Sequence, residues 1–184
     1  MTTRRYIALL RGINVGRAKR IAMADLRRLV AKLGFSHVRS LLSSGNVVFS
    51  AAPLASAAAA QAIEEALVLR LGVAARVTVM TSDELNAVVA ANPLLPVAAD
   101  PARLLAFIVK EAGALGALAP LAGQDWGEEA LAVGPRAAYV WCPQGVLACK
   151  AAEAVGKLLG DSVTARNWST LMRLQQLCAE AVDA

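Results

Sequence analysis

Histidine occurs once in the 184-residue chain and cysteine three times. Four-ligand structural zinc sites of the usual Cys/His type are therefore not expected. Cys142, Cys149 and Cys178 are odd in number and far apart from His37, so neither a disulfide framework nor metal-ligand spacing is present. Aromatic residues make up only 4% of the chain, which leaves little material for a continuous base-stacking surface. The first fifty residues hold one acid, Asp25, against ten Lys or Arg, whereas the remainder holds thirteen acids against nine bases. A positive field is thus concentrated in one part of the sequence. Long apolar runs are absent too: the most apolar stretch, residues 104–109, is about a third of the roughly 20 residues that span a bilayer. Arg11, Arg17, Lys19 and Arg20 interrupt any secretory core near the amino terminus, so the expectation is a cytoplasmic protein without a membrane partner.

What the chain has is apolar content of 57%, inflated by 40 alanines that bury little area each, with 18% charged residues. This composition excludes generic disorder and suits one sizeable domain or two small ones. Residues 5–10 read as a buried strand. Met23, Leu26, Leu29, Val30 and Leu33 recur at helical spacing up to Gly34, with Arg27, Arg28 and Lys32 on the other face. Two short strands, 38–42 and 47–49, flank Ser43, Ser44, Gly45 and Asn46 and form a hairpin. Ser56 suits the cap of a helix reaching Leu71 before Gly72, and residues 76–80 supply a fourth strand. The order β-α-β-β-α-β is that of a ferredoxin-like unit.

Thr81 and Glu84 have capping-box spacing for a third helix. Pro93, Pro96 and Pro101 punctuate an ordered connector. Strands follow at 104–109, 129–133 and 137–141, the first two separated by a short helix through Leu118, then helices at 151–159 and 169–181 around a short strand at 163–166. The expected class is α+β: a ferredoxin-like first half over residues 1–80, and a smaller second α+β half over 81–184 that can share its core. No repeated sequence links the halves.

Three segments carry a family resemblance: YIALLRGINVG at 6–16, MADLRRLVAKLGFSHVRSLLSSGNVVF at 23–49, and ARNWSTL at 165–171. In that order they resemble the bacterial domain-of-unknown-function family numbered 1697. The resemblance implies a compact bacterial α+β protein and supplies no catalytic triad or cofactor. Relatives commonly continue the first motif with a second glycine, where this chain has Arg17.

The candidate ligand-binding residues fall in three places. Gly12, Asn14 and Gly16 lie between the first strand and first helix, where exposed N–H groups suit an anion, and Arg11, Arg17, Lys19 and Arg20 add positive charge. The loop matches neither standard phosphate-loop pattern, and its other reading is a tight turn braced by Asn14. Ser44 and Asn46 belong to the hairpin turn. A split β-α-β-β-α-β order puts that turn at the same edge as the first loop, so the two can form one polar mouth. Arg166, Asn167 and Trp168 can clamp a carboxylate or phosphate and stack on a ring; equally, Asn167 can cap the last helix and Trp168 fill its core. Asp125, Glu128 and Glu129 read as a solvated loop, and Ser43 and Ser44 have no inferable relay. These readings favour a module for an anionic small molecule; a nucleic-acid-binding protein, a small-molecule enzyme and a protein-interaction module remain alternatives. No catalytic residue, cofactor or metal is assigned.

Overall fold

The computed structural model describes residues 2–17 and 20–180. It is a mixed α+β structure with two four-stranded sheets, and every strand pairing in both is antiparallel. Two compact units divide the chain, one comprising 1–85 with 174–184 and the other 86–173. The sequence expectation set its boundary at residue 80 and kept the chain end with the second half. The observed division falls instead inside two helices, one following each sheet's last strand.

The first unit follows the expected order: β1 (Arg4–Arg11), α1 (Met23–Lys32), β2 (Ser36–Leu41), β3 (Asn46–Ala51), α2 (Ser56–Ala66) and β4 (Arg76–Thr81). The sheet order β2-β3-β1-β4 is ferredoxin-like. Strand alternation explains why β1 is buried on both faces. Tyr6, Ala8 and Leu10 join Val47, Phe49, Val77 and Val79 against Leu26, Leu29 and Val30 of α1 and Ile63 of α2. Ile7, Leu9, Val48 and Met80 take the opposite phase and are equally buried. Each such aliphatic side chain contributes roughly 1.5–3 kcal/mol relative to exposure. Phe49 stacks between Tyr6 and Phe35, with ring centroids 5.5 and 4.5 Å away. The Tyr6 hydroxyl accepts from Leu54 N and donates to Leu54 O, fixing the chain as it enters α2. Ser56 is the first helical residue rather than the cap; that position falls to Ala55, which has no side chain able to cap. His37 lies exposed on the outer strand β2 with φ 50°, at a register shift between Ser36 and Arg39.

A third helix, α3 (Ser82–Ala90), begins at once after β4. The capping box read from the sequence forms: Glu84 N donates to Thr81 Oγ1 at 3.1 Å and Thr81 N to Glu84 Oε2 at 2.8 Å.

The second unit holds β5 (Leu104–Val109), β6 (Ala130–Val133), β7 (Ala137–Trp141), α4 (Lys150–Leu159) and β8 (Val163–Asn167), followed by α5 (Trp168–Ala179). The sequence expectation carried this last helix to residue 181, which lies outside the described residues. Sheet order β6-β7-β5-β8 repeats the ferredoxin-like order of the first sheet. Sequence reading assigned this half only as α+β, because its first crossover is a 3-10 segment, Ala112–Leu121, containing Pro120. Such a segment lacks the 3.6-residue periodicity that reveals an α-helix. Its Leu115, Leu118 and Leu121 nevertheless pack with Phe107, Val140 and Val155.

Candidate functional site

Backbone conformation at residue 14 sets up the first candidate region. Asn14 is left-handed at φ 53°, a conformation asparagine tolerates better than most side chains. Its Nδ2 donates to Ile21 O at 3.0 Å and to Ser43 O at 2.9 Å, and its Oδ1 accepts from Ile21 N at 2.7 Å. Arg20 Nη1 donates to the Asn14 carbonyl at 2.7 Å. One side chain therefore closes the β1–α1 loop on itself and fastens it to the β2–β3 turn. A second tie, Leu10 N to Gly45 O at 2.8 Å, lies alongside. The loop and turn predicted to meet at one sheet edge do meet.

Of the proposed ligand residues, Arg11, Gly12, Gly16, Arg17 and Ser44 are exposed at this junction, as is Arg20. Lys19 lies outside the described residues. Asn46 is fully buried, with Nδ2 donating to Leu41 O at 2.8 Å and to Ser44 Oγ at 3.1 Å, so it locks the hairpin from inside. Asn14 and Asn46 thus shape the surface, while the arginines form it. Val15 and Leu42 flank the Asn14–Ser43 contact and are 59% and 48% exposed. Leu42 has φ 61°, an unfavourable state for a bulky residue. Sequence reasoning passed over both: Leu42 closed an expected strand, where an apolar residue is ordinarily a core residue, and Val15 sat among glycines and polar residues that drew the attention.

Seven of the ten basic residues in the first fifty fall into two groups. Arg5 donates to Ser50 and the Glu180 carbonyl, Arg27 to Ser40, Arg28 pairs with Asp25 and Arg39 with Glu180. These side chains brace the first unit. Arg11, Arg17 and Arg20 stand at the loop.

The Arg166-Asn167-Trp168 group belongs to the second unit. Asn167 Oδ1 accepts from Thr170 N at 2.9 Å and Ser169 Oγ at 3.0 Å, which is an N-cap for α5. Trp168 is buried and meets Tyr139 edge to face at 6.3 Å, leaving no open ring face for a stacking ligand. Arg166 Nη1 donates to Thr164 Oγ1 at 3.0 Å and Ala165 O at 2.8 Å. Burial pushes its guanidinium down to about 10. Among the described residues, these contacts of Asn167 and Trp168 are a helix cap and core packing.

The second unit also contains an arrangement invisible in the sequence. Glu129, taken as a solvated loop residue, places its two oxygens on the first turn of α4: Oε1 accepts from Lys150 N at 3.1 Å and Oε2 from Ala151 N at 2.8 Å. Cys149 Sγ is 3.4 Å from Oε2, and both Cys149 and Cys142 are free, buried thiols. Partial burial alone would raise the Glu129 pKa, but both N–H donors, the Cys149 thiol and Lys150 together hold it below the usual 4.5. Burial pushes both thiols up, so they stay protonated and poorly nucleophilic. Two measurements check this. Neutral-pH alkylation of Cys142 and Cys149 is expected only at the rate at which the unit opens, and rapid labelling of the native protein would contradict it. Glu129→Gln should lower stability at pH 7 by about 1–2 kcal/mol through the weakened helix cap. Because the folded carboxyl is the stronger acid, that stabilisation is complete above its unfolded value and fades as pH falls through the folded one. Denaturant titrations of both proteins should therefore converge in acid, and a gap independent of pH would count against a charge-based cap.

No group of three or more His, Cys, Asp or Glu suited to a metal occurs among the described residues, and no described helix is long and apolar enough to cross a membrane.

Two sheets of ferredoxin-like order, each succeeded by a helix, define a tandem α+β protein. The family model described as "Protein of unknown function (DUF1697)" matches residues 3–139, and the chain belongs to that family. A solved structure of the conserved bacterial protein SP0830 from Streptococcus pneumoniae is similar over 96% of this chain and 99% of its own, with 22% identity and a TM-score of 0.78. That likeness supports the fold. No curated protein matches the chain.

Proposed function

We propose that the first unit binds an anionic ligand at the joined β1–α1 loop and β2–β3 turn. The observation that carries this reading is the Asn14 bridge: it holds the loop bearing Arg17 and Arg20, which starts after Arg11 at the end of β1, in a fixed place against the turn. Fixing the backbone before binding reduces the ordering cost of recognition. Asn14 and Asn46 act as positioning residues, and Arg11, Arg17 and Arg20 as the contacts.

Nucleic acid is the second reading, favoured by exposed Val15 and Leu42 beside the arginines. A single strand offers phosphates to the cations and unpaired bases to the apolar pair. Anisotropy titration of a labelled single-stranded oligonucleotide, with inorganic phosphate and a nucleoside monophosphate as competitors, separates the readings. Affinity is expected to fall with salt, and Arg17→Ala should reduce the log–log salt slope by about 0.7, the loss of one single-strand phosphate contact. A slope unchanged by Arg17→Ala and Arg20→Ala, or no binding of any probe, would remove the anion-binding reading. Competition by the monophosphate at equal phosphate concentration would favour a small ligand over a strand.

A further inference from the structure

The two sheets end in four outer strands, and three of these have their free edge occupied or broken. On β4, Val77 N donates to Glu64 Oε1 at 2.7 Å and Thr81 N to Glu84 Oε2 at 2.8 Å. On β8, Arg166 Nη1 donates to the Ala165 carbonyl at 2.8 Å. The strand β2 carries His37 and Arg39 and slips register between Ser36 and Arg39. Such devices keep an edge from pairing with another chain. β6 has none of them: its sequence is Ala-Leu-Ala-Val, with no charge, proline or register shift. The bond from Gly134 N to Ala137 O, 2.8 Å, sets the phase of the β6–β7 ladder. Counting back in twos along the pairing, Ala132 and Ala130 bond to β7, so the N–H and C=O groups of Leu131 and Val133 point away from it, out of the sheet edge. Among the described residues nothing bonds to these groups, and Val133 is 47% exposed.

A strand of four residues is short, and shortness alone guards many edges. The flanking residues add a self-complementary pattern. Antiparallel pairing of β6 with itself, about a two-fold axis at Ala132, sets Leu131 opposite the partner's Val133, so that each outward N–H meets an outward C=O. Extended in the same register, Glu128 of one copy falls opposite the partner's Arg136, and the symmetry makes this contact twice. Glu128 is exposed and has no partner among the described residues. Opposite charges at equal distances either side of Ala132 make the edge complementary to itself, whereas a foreign strand would have to supply that pattern. We infer that β6 is a self-pairing edge, through which two copies of this chain join their second sheets into one continuous antiparallel sheet. Both outward residues of each copy are used in the pair, so assembly stops at a dimer. The contact is small, which makes the dimer weak and populated at high protein concentration. It does not depend on ligand binding at the β1–α1 loop.

Sedimentation equilibrium of the full chain, from micromolar to millimolar concentration, reads the association. Val133→Pro removes one outward N–H without touching the β7 ladder and should weaken the dimer by about tenfold or more. Glu128→Arg and Arg136→Glu each set like charges opposite one another at both symmetric contacts, and each should weaken it about tenfold. Mixed in equal amounts, these two charge variants should associate with each other within about twofold of the unchanged chain, because every like-charge contact is then replaced by an opposite one. Circular dichroism of each variant should match the unchanged chain; where Val133→Pro does not, the charge variants and their mixture decide. A chain monomeric at every concentration, a dimer indifferent to the substitutions, or charge variants that fail to recover on mixing would each overturn the proposal. Binding of an added extended peptide by a chain that stays monomeric would assign the edge to a foreign strand and overturn it as well.

Discussion

Gly45→Ala is expected to destabilise the first unit by about 3 kcal/mol, and Gly12→Ala by only about 1 kcal/mol. Both glycines have positive φ, 91° and 85°, so both substitutions incur the left-handed penalty. Their surroundings differ. A Cβ on Gly45 would lie 2.7 Å from Ile13 Cδ1 and 2.8 Å from Leu10 Cβ, whereas nothing stands within 4 Å of one on Gly12. Ile13 and Leu10 are each only 1% exposed and belong to the core, so they have little room to yield. Relief requires the turn to move away from the loop, which also strains the Leu10 N to Gly45 O bond. Urea unfolding of the two variants measures the difference directly. Equal midpoints would show that the close approach of turn and loop is not a constraint, while the expected gap should be accompanied by weakened oligonucleotide binding in Gly45→Ala alone.

The difference between those two glycines marks what the sequence conveys and what it does not. Local signals survived: the leucine spacing of α1, the turn residues between β2 and β3, and the Thr81–Glu84 reciprocal cap all depend on neighbours within a few positions. Strand order in the first unit followed from those elements, because two amphipathic helices between four strands have few ways to bury their apolar faces. The second sheet was harder to read because Ala112–Leu121 makes its crossover without a helical stripe. Side-chain partners across long separations were less accessible still. Nothing near Asn14 indicates that its amide ends on Ser43, 29 positions away. Asn46 has the composition of a ligand contact and is instead enclosed, and the Cys142–Cys149–Glu129 arrangement joins three separate segments. Polar residue types could be chosen from the sequence, but whether each faces water or backbone is fixed only when the strands register.

Asn14→Ala should cost about 3 kcal/mol, because it acts on backbone conformation and on hydrogen bonding together. Three side-chain bonds disappear, each worth roughly 0.5–1.5 kcal/mol net. Alanine must also hold a φ of 53°, at roughly 1 kcal/mol or more. Asn14→Gly separates these contributions: it loses the same bonds without the conformational penalty and should recover about 1 kcal/mol relative to alanine. Asn14→Asp retains an acceptor for Ile21 N but turns a carboxylate oxygen toward the carbonyls of Ile21 and Ser43. Its deficit should therefore be larger at pH 7 than in acid, where a protonated carboxyl can donate to one of them. Amide exchange gives the local readout, since the Ile21 N–H should lose protection in the alanine and glycine variants and keep part of it in the aspartate. If all three variants unfold together at the wild-type midpoint with Ile21 still protected, the loop is held by other contacts. The Asn14 bridge then no longer accounts for a prepared anion surface, and the arginines around it become an ordinary solvated edge.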